Sequence, residues 1–175
     1  MTKADFEARS HAINWARGFA PANADLFAHN SILIRAPREH VWQLLLQAER
    51  WPSWYPNAHD VAVRGSEDGT LQPGSVFTWT TFGIWLESRV HEFVENERLG
   101  WFGDAEGLNA YHTWLLAERN GQTLVVMEEV GMGPGAQAMN SADPEGMHIG
   151  HDLWNVTLKF LAESNAIAEV DIDRV

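Results

Sequence analysis

Between His59 and Met132 apolar and polar residues alternate with a period of two, the spacing of strands that turn one face to a core and the other to water. The alternation breaks at Gly69, Phe82-Gly83, Asn96-Glu97, Gly107 and Asn120-Gly121. It therefore predicts strands over His59–Arg64, Ser75–Thr81, Ile84–Val94, Arg98–Gly103, Asn109–Glu118 and Thr123–Met132, joined as an antiparallel meander. Asn120-Gly121 is the sharpest turn signal, because both positions of a two-residue type I′ hairpin need positive φ and these residues tolerate it. Counting outward from it pairs Arg119 with Gln122, Leu116 with Val125, Trp114 with Met127 and His112 with Glu129. A second turn at Phe82-Gly83 sets Phe77, Trp79 and Thr81 beside Ser88, Leu86 and Ile84. Both hairpins then carry a Trp-bearing apolar face, while Glu87, Arg89 and His91 lie on the opposite, wet side.

The rest of the chain reads differently. A first strand over Asn30–Arg35 stops before Pro37, which suits the first turn of a helix whose buried stripe is Val41, Trp42, Leu44 and Leu45, to about Gln47. A short aromatic turn, Trp51-Pro-Ser-Trp-Tyr-Pro56, follows and is bracketed by prolines. A Gly-, Pro- and Ala-rich loop is expected from Gly131 to Ala142, read as a flexible lid. Asp143 then suits the N-cap of a long helix from Pro144 to about Ala166, with Met147, His151, Trp154, Leu158 and Leu161 at helical spacing. Residues 1–28 read as an N-terminal arm, helical from Ala4 to Arg17, ahead of one domain over 29–168 and a tail over 169–175. Tyr111, Leu115, Leu124, Val126 and Val130 make the other sheet face apolar as well. Either the arm covers that face or a second subunit does, so the chain is expected as a monomer or a homodimer.

Composition narrows the function classes. Twelve Lys plus Arg against 24 Asp plus Glu give a formal charge of −12, which argues against nucleic acid and anionic membranes as partners. The absence of cysteine excludes disulfides, thiol catalysis and thiolate metal sites, and fits a cytoplasmic location. No cationic segment followed by an apolar run opens the chain, and no stretch reaches the length of a membrane span. Nine tryptophans are the outlier, suited to a large core or to a pocket wall.

The order strand, two short helices, six strands, long C-terminal helix resembles the helix-grip fold of the SRPBCC superfamily, which includes START-like, birch-pollen-allergen-like and polyketide cyclase/dehydrase proteins. Ser31-Ile-Leu-Ile-Arg-Ala-Pro37, Val41-Trp42, Trp51-Pro-Ser-Trp54, Gly74, Arg98-Leu-Gly-Trp101, His112-Thr-Trp114 and Thr123 through Glu129 to Gly133 carry the resemblance over roughly residues 29–165. It implies an α+β fold in which a curved antiparallel sheet of about seven strands wraps the last helix, with a hydrophobic ligand cavity between them. It also implies a cyclase, a dehydratase or a non-catalytic carrier or sensor, since the fold hosts all of these.

On that basis the cavity should bind a small hydrophobic, aromatic or polyketide-like molecule without a cofactor. His112 and Glu129 are the candidate acid/base pair, Glu129 as base, able to take a C–H proton beside a carbonyl or to protonate a leaving hydroxyl. The plainer alternative is that they satisfy each other under the sheet. Phe77, Trp79, Thr81, Leu86, Ser88, Trp101, Trp114, Met127, Met147, His151 and Trp154 are the expected ligand contacts, with Trp54 and Tyr55 as a gate. The run Glu145, His148, His151, Asp152 has metal-ligand residue types, but its spacing alone does not demand a metal and none is expected.

Overall fold

The computed structural model describes residues 2–168. Its strands are β1 (Leu26–Ile34), β2 (His59–Val63), β3 (Val76–Thr81), β4 (Ile84–Val94), β5 (Arg98–Ala105), β6 (Leu108–Arg119) and β7 (Gln122–Met132). Its helices are α1 (Lys3–Ala8), α2 (Arg38–Leu46), α3 (Pro134–Ala142) and α4 (Gly146–Ala168), and 3-10 turns cover Pro21–Asn23 and Ala48–Ser53. The strands form one antiparallel 7-stranded sheet in the order β1-β7-β6-β5-β4-β3-β2. The meander runs from β2 to β7, and β1 returns to pair with β7. This is the helix-grip architecture that the sequence predicts: α4 lies against the sheet and α2 follows the first strand.

Both hairpin registers follow the turn signals. Asn120 (φ 54) and Gly121 (φ 77) occupy the left-handed region together, and His112 pairs with Glu129 and Trp114 with Met127. Phe82 (φ 50) and Gly83 (φ 74) do the same between β3 and β4, pairing Trp79 with Leu86. Two such turns in register put Phe77, Trp79, Leu86, Trp101, Trp114 and Met127 on one face. Packed there by Trp51, Trp154 and Leu158, they form the main core.

Four expectations need correction. The loop over Gly131–Ala142 is instead the end of β7 and helix α3, with Pro134 at its first turn and Gly135 N–H donating to the Gly107 carbonyl. The run of small residues is compatible with a helix once the β5–β6 turn gives it a surface to pack on. α4 starts at Gly146, not Pro144, with the Asp143 carboxylate accepting the Glu145 N–H just before it. The arm is helical only over Lys3–Ala8, capped by the Thr2 side chain, and then crosses the outer sheet face in extended and turn conformations. Ile13 packs with Leu115 and Val126, Trp15 sits edge-on to Phe27 and Tyr111, and Phe19 packs on Phe102 and Tyr111. Burying those rings on a sheet outweighs the helical propensity of residues 9–17. β1 also starts at Leu26, ahead of the expected Asn30, because Asp25 to Ala28 continue the ladder along β7. The predicted tail, 169–175, lies outside the described residues. Among those described, no helix is long and apolar enough to cross a membrane.

Candidate active site between the sheet and the last helix

Strands β6 and β7 and helix α4 bring three polar side chains together under the sheet. His112 on β6 and Glu129 on β7 are directly opposite each other, and His112 Nδ1 lies 2.8 Å from Glu129 Oε2. His151, one turn before Trp154 on α4, brings its Nε2 to 3.3 Å from the same oxygen. The His112 and His151 rings are perpendicular with centroids 5.2 Å apart, and Trp101 stacks on His112 at 4.5 Å and 12°. Both histidines are almost wholly buried.

A carboxylate only accepts hydrogen bonds, so each ring nitrogen facing Glu129 carries the proton. That fixes the tautomer of a neutral ring and leaves the lone pair on His112 Nε2 and on His151 Nδ1. Neither nitrogen has a protein partner. Burial lowers the pKa of His112, outweighing the opposite pull of Glu129. Burial also works to raise that of Glu129, but hydrogen bonds from His112 and His151 together overcome it and hold the carboxyl well below its ordinary range. The cluster is thus a carboxylate serving two imidazoles.

The cavity beside it is walled by Trp79, Thr81, Leu86, Trp101, Met147 and Trp154 together with His112, Glu129 and His151, all expected there. Phe77, Trp114 and Met127 share that face but lie in the packed core outside the wall, and Ser88 is buried beside them, also outside it. Ser88 accepts a hydrogen bond from the Trp79 indole N–H, at 3.0 Å. Tyr55 is buried with its ring stacked on Trp154 at 4.3 Å and 6°, and Trp54 is half-buried; neither forms part of the wall. The wall also contains Phe82, Ile84, Gly103, Leu108, Ala110 and Met139. Leu108 and Ala110 share the parity of His112, and Gly103 that of Trp101, so period-two reading could have found them. Met139 lay in the supposed loop, and Phe82 in a turn. Phe82 folds over α4 at Gly150, where an added Cβ would stand 2.5 Å from its ring.

The aromatic side chains nearly fill the space they enclose. Trp154 alone meets Trp51, Trp79, Trp101, Trp114 and His112 at ring distances between 5.1 and 6.3 Å. The cavity volume left is ≈ 20 Å³, room for about one water. The helical run Glu145, His148, His151, Asp152 does not converge. His151 turns inward, whereas His148 turns the other way, to Asp5 at 2.7 Å and Asp152 at 3.4 Å.

The sequence profile of the family described as polyketide cyclase / dehydrase and lipid transport matches residues 28–147. No curated protein matches the chain. Among solved structures, a hypothetical protein from Helicobacter pylori is 27% identical with a TM-score of 0.80, over 88% of this chain and 98% of that one. The Zhui aromatase/cyclase from Streptomyces sp. R1128 is 14% identical with a TM-score of 0.69, over 83% and 98%. Norcoclaurine synthase from Thalictrum flavum is 11% identical with a TM-score of 0.62, over 80% and 95%. At those identities the last two attest the fold alone. The profile, however, spans β1 to the start of α4 and takes in every strand of the sheet, and on that ground the chain belongs to the polyketide cyclase / dehydrase and lipid transport family.

Proposed function

We propose that this protein binds a small, flat, largely apolar molecule between the sheet and α4 and moves a proton on it, in cyclase, dehydratase or lyase-type chemistry that needs no organic cofactor. One observation carries this: at the wall of an otherwise aromatic cavity, His112 has Nδ1 committed to Glu129 and Nε2 free of any protein partner. In this assignment His112 Nε2, rather than the expected Glu129, is the base and then the acid, since the Glu129 oxygen already accepts from both imidazoles. Glu129 is the group that orients it and stabilises its cationic form. His151 holds the second face of the carboxylate. Family membership supports a ligand pocket of this kind, and the aromatase/cyclase neighbour shares the fold.

A drug-sized ligand needs roughly 300–1,000 Å³, far more than the space present. Entry therefore displaces side chains, and Met139, Met147 and Phe82 are the wall residues proposed to move: two flexible thioether chains and a ring on a turn. The nearly filled cavity also favours a second reading, a carrier or sensor that opens only for its ligand.

Mass spectrometry of small molecules co-purified with the protein identifies the ligand. With that ligand in hand, His112→Gln should lower turnover by about 10²–10⁴-fold, and Glu129→Gln should lower it while binding is retained. Undiminished turnover in His112→Gln removes the proton-transfer assignment, and binding without any turnover in the parent protein leaves the carrier.

A further inference from the structure

We infer that His112, Glu129 and His151 form a binding site for one divalent first-row transition-metal ion. Each contributes one donor atom, and the three donors lie within 4.8 Å of one another. Metal–ligand bonds of about 2.0–2.2 Å in tetrahedral geometry place donors roughly 3.3–3.6 Å apart. The His151–Glu129 separation of 3.3 Å already falls in that range, and the His112–Glu129 separation of 2.8 Å needs a ring shift of about half an ångström. Two imidazoles with one carboxylate suit Zn²⁺, Co²⁺ or Fe²⁺ and not Mg²⁺ or Ca²⁺, which take oxygen ligands.

Charge and space point the same way. The carboxylate is set into an aromatic wall that contains no Lys or Arg. A largely buried carboxylate of this kind, held here by two imidazole N–H groups, is stabilised further by a cation or by metal coordination. The donors come from two adjacent strands and a packed helix, and the Trp101 stack holds the plane of the His112 ring, so the site is nearly preformed and asks only for that small ring shift. The ≈ 20 Å³ beside the cluster holds one water-sized fourth ligand.

The inference goes beyond the proton-transfer assignment and stands without it. An ion would take the place of the proton on His112 Nδ1, which moves the ring's hydrogen to Nε2 and turns that atom from a base into a donor. Metal-loaded and metal-free protein are therefore chemically distinct states of one cluster, and the metal-binding readout below needs no turnover.

The test uses the full chain, stripped with a chelator and dialysed. Titration calorimetry with Zn²⁺ and visible absorption with Co²⁺ should show one ion per chain at micromolar affinity or tighter, with the d–d bands of a tetrahedral cobalt site. His151→Gln and Glu129→Gln, both conservative in volume, should each weaken Zn²⁺ binding at least tenfold and abolish those bands. His148→Ala should change neither, since His148 faces Asp5 and Asp152 on the other side of α4. Absence of stoichiometric binding overturns the inference, as does binding that survives His151→Gln and Glu129→Gln but is lost in His148→Ala. Either result leaves the proton-transfer assignment to its own test, turnover by metal-free protein.

Discussion

Replacing Trp154 with alanine tests whether the space between α4 and the sheet is packed core or a vacant pocket. The side chain is fully buried, stacks on Tyr55 at 4.3 Å, and meets Trp51 and Trp114 edge-on at 5.3 and 5.1 Å. A buried aromatic of this type removes about 150–250 Å² from water, worth about 4–6 kcal/mol at 25 cal/mol per Å². That is an upper value, since the unfolded chain already buries part of it, and Trp→Ala substitutions in cores cost about 3–5 kcal/mol. The expected loss is therefore about 4 kcal/mol, against a total of about 5–15 kcal/mol for a domain, so Trp154→Ala folds but is marginal. With a urea m-value of about 2 kcal/mol/M, the unfolding midpoint should fall by about 2 M. The hole has the shape of an indole and apolar walls, so indole added to the variant should bind in it. At free indole about 100 times its Kd, about 2.7 kcal/mol of the loss should return. Urea titrations with and without indole measure both. A loss under about 1.5 kcal/mol with no response to indole would falsify the packed-core account and mean that Trp154 already borders empty space.

Asp5, on the arm helix α1, is buried against β1 and α4, where burial works to raise its pKa but hydrogen bonds from Thr2, His148 and the His29 N–H outweigh it and lower it below 3.8. A carboxyl lowered on folding stabilises the protein above its unfolded pKa, and that contribution fades as pH falls through the folded value. Asp5→Asn should therefore melt below the parent protein at neutral pH, with the gap closing below about pH 4. A constant gap in melting temperature across acidic pH refutes the pairing of Asp5 with His148, whose other ring nitrogen faces Asp152. Trp15→Ala should uncover Phe27 and Tyr111 on the outer sheet face, and dye binding to exposed apolar surface should rise. Unchanged dye binding means that the arm does not shield that face. Gly121→Ala meets no atom within 4 Å but holds φ at +77°, so it should cost about 1 kcal/mol by backbone strain alone. A neutral result in chemical denaturation argues that the hairpin relaxes to another turn.

Much of the site was legible in the chain because strand pairing has a fixed period. Once Asn120-Gly121 sets the turn, a count of residues brings His112 to Glu129 and Trp114 to Met127, whatever the rest of the molecule does. Helical spacing similarly placed His151 on the stripe of Met147 and Trp154, and family resemblance supplied the reason to turn that stripe toward the sheet. The two clear misreadings, the arm beyond Ala8 and the segment that becomes α3, lack such a period. Their residues are ordered by surfaces contributed from elsewhere, the outer face of β5 to β7 and the β5–β6 turn.

Sequence alone thus determined the β2-to-β7 meander, the hairpin registers, the long helix and the facing pair of acid and base, since each is a local or period-counted property of the backbone, whereas the return of β1 to β7 joins segments about a hundred residues apart. Only the tertiary structure decided that His151 closes on the same Glu129 oxygen, that the indoles nearly fill the cavity, and that the arm lies on the outer sheet face. Those depend on how far α4 stands from a curved sheet, a distance set by interdigitating side chains far apart in the chain and recorded in no single stretch of it.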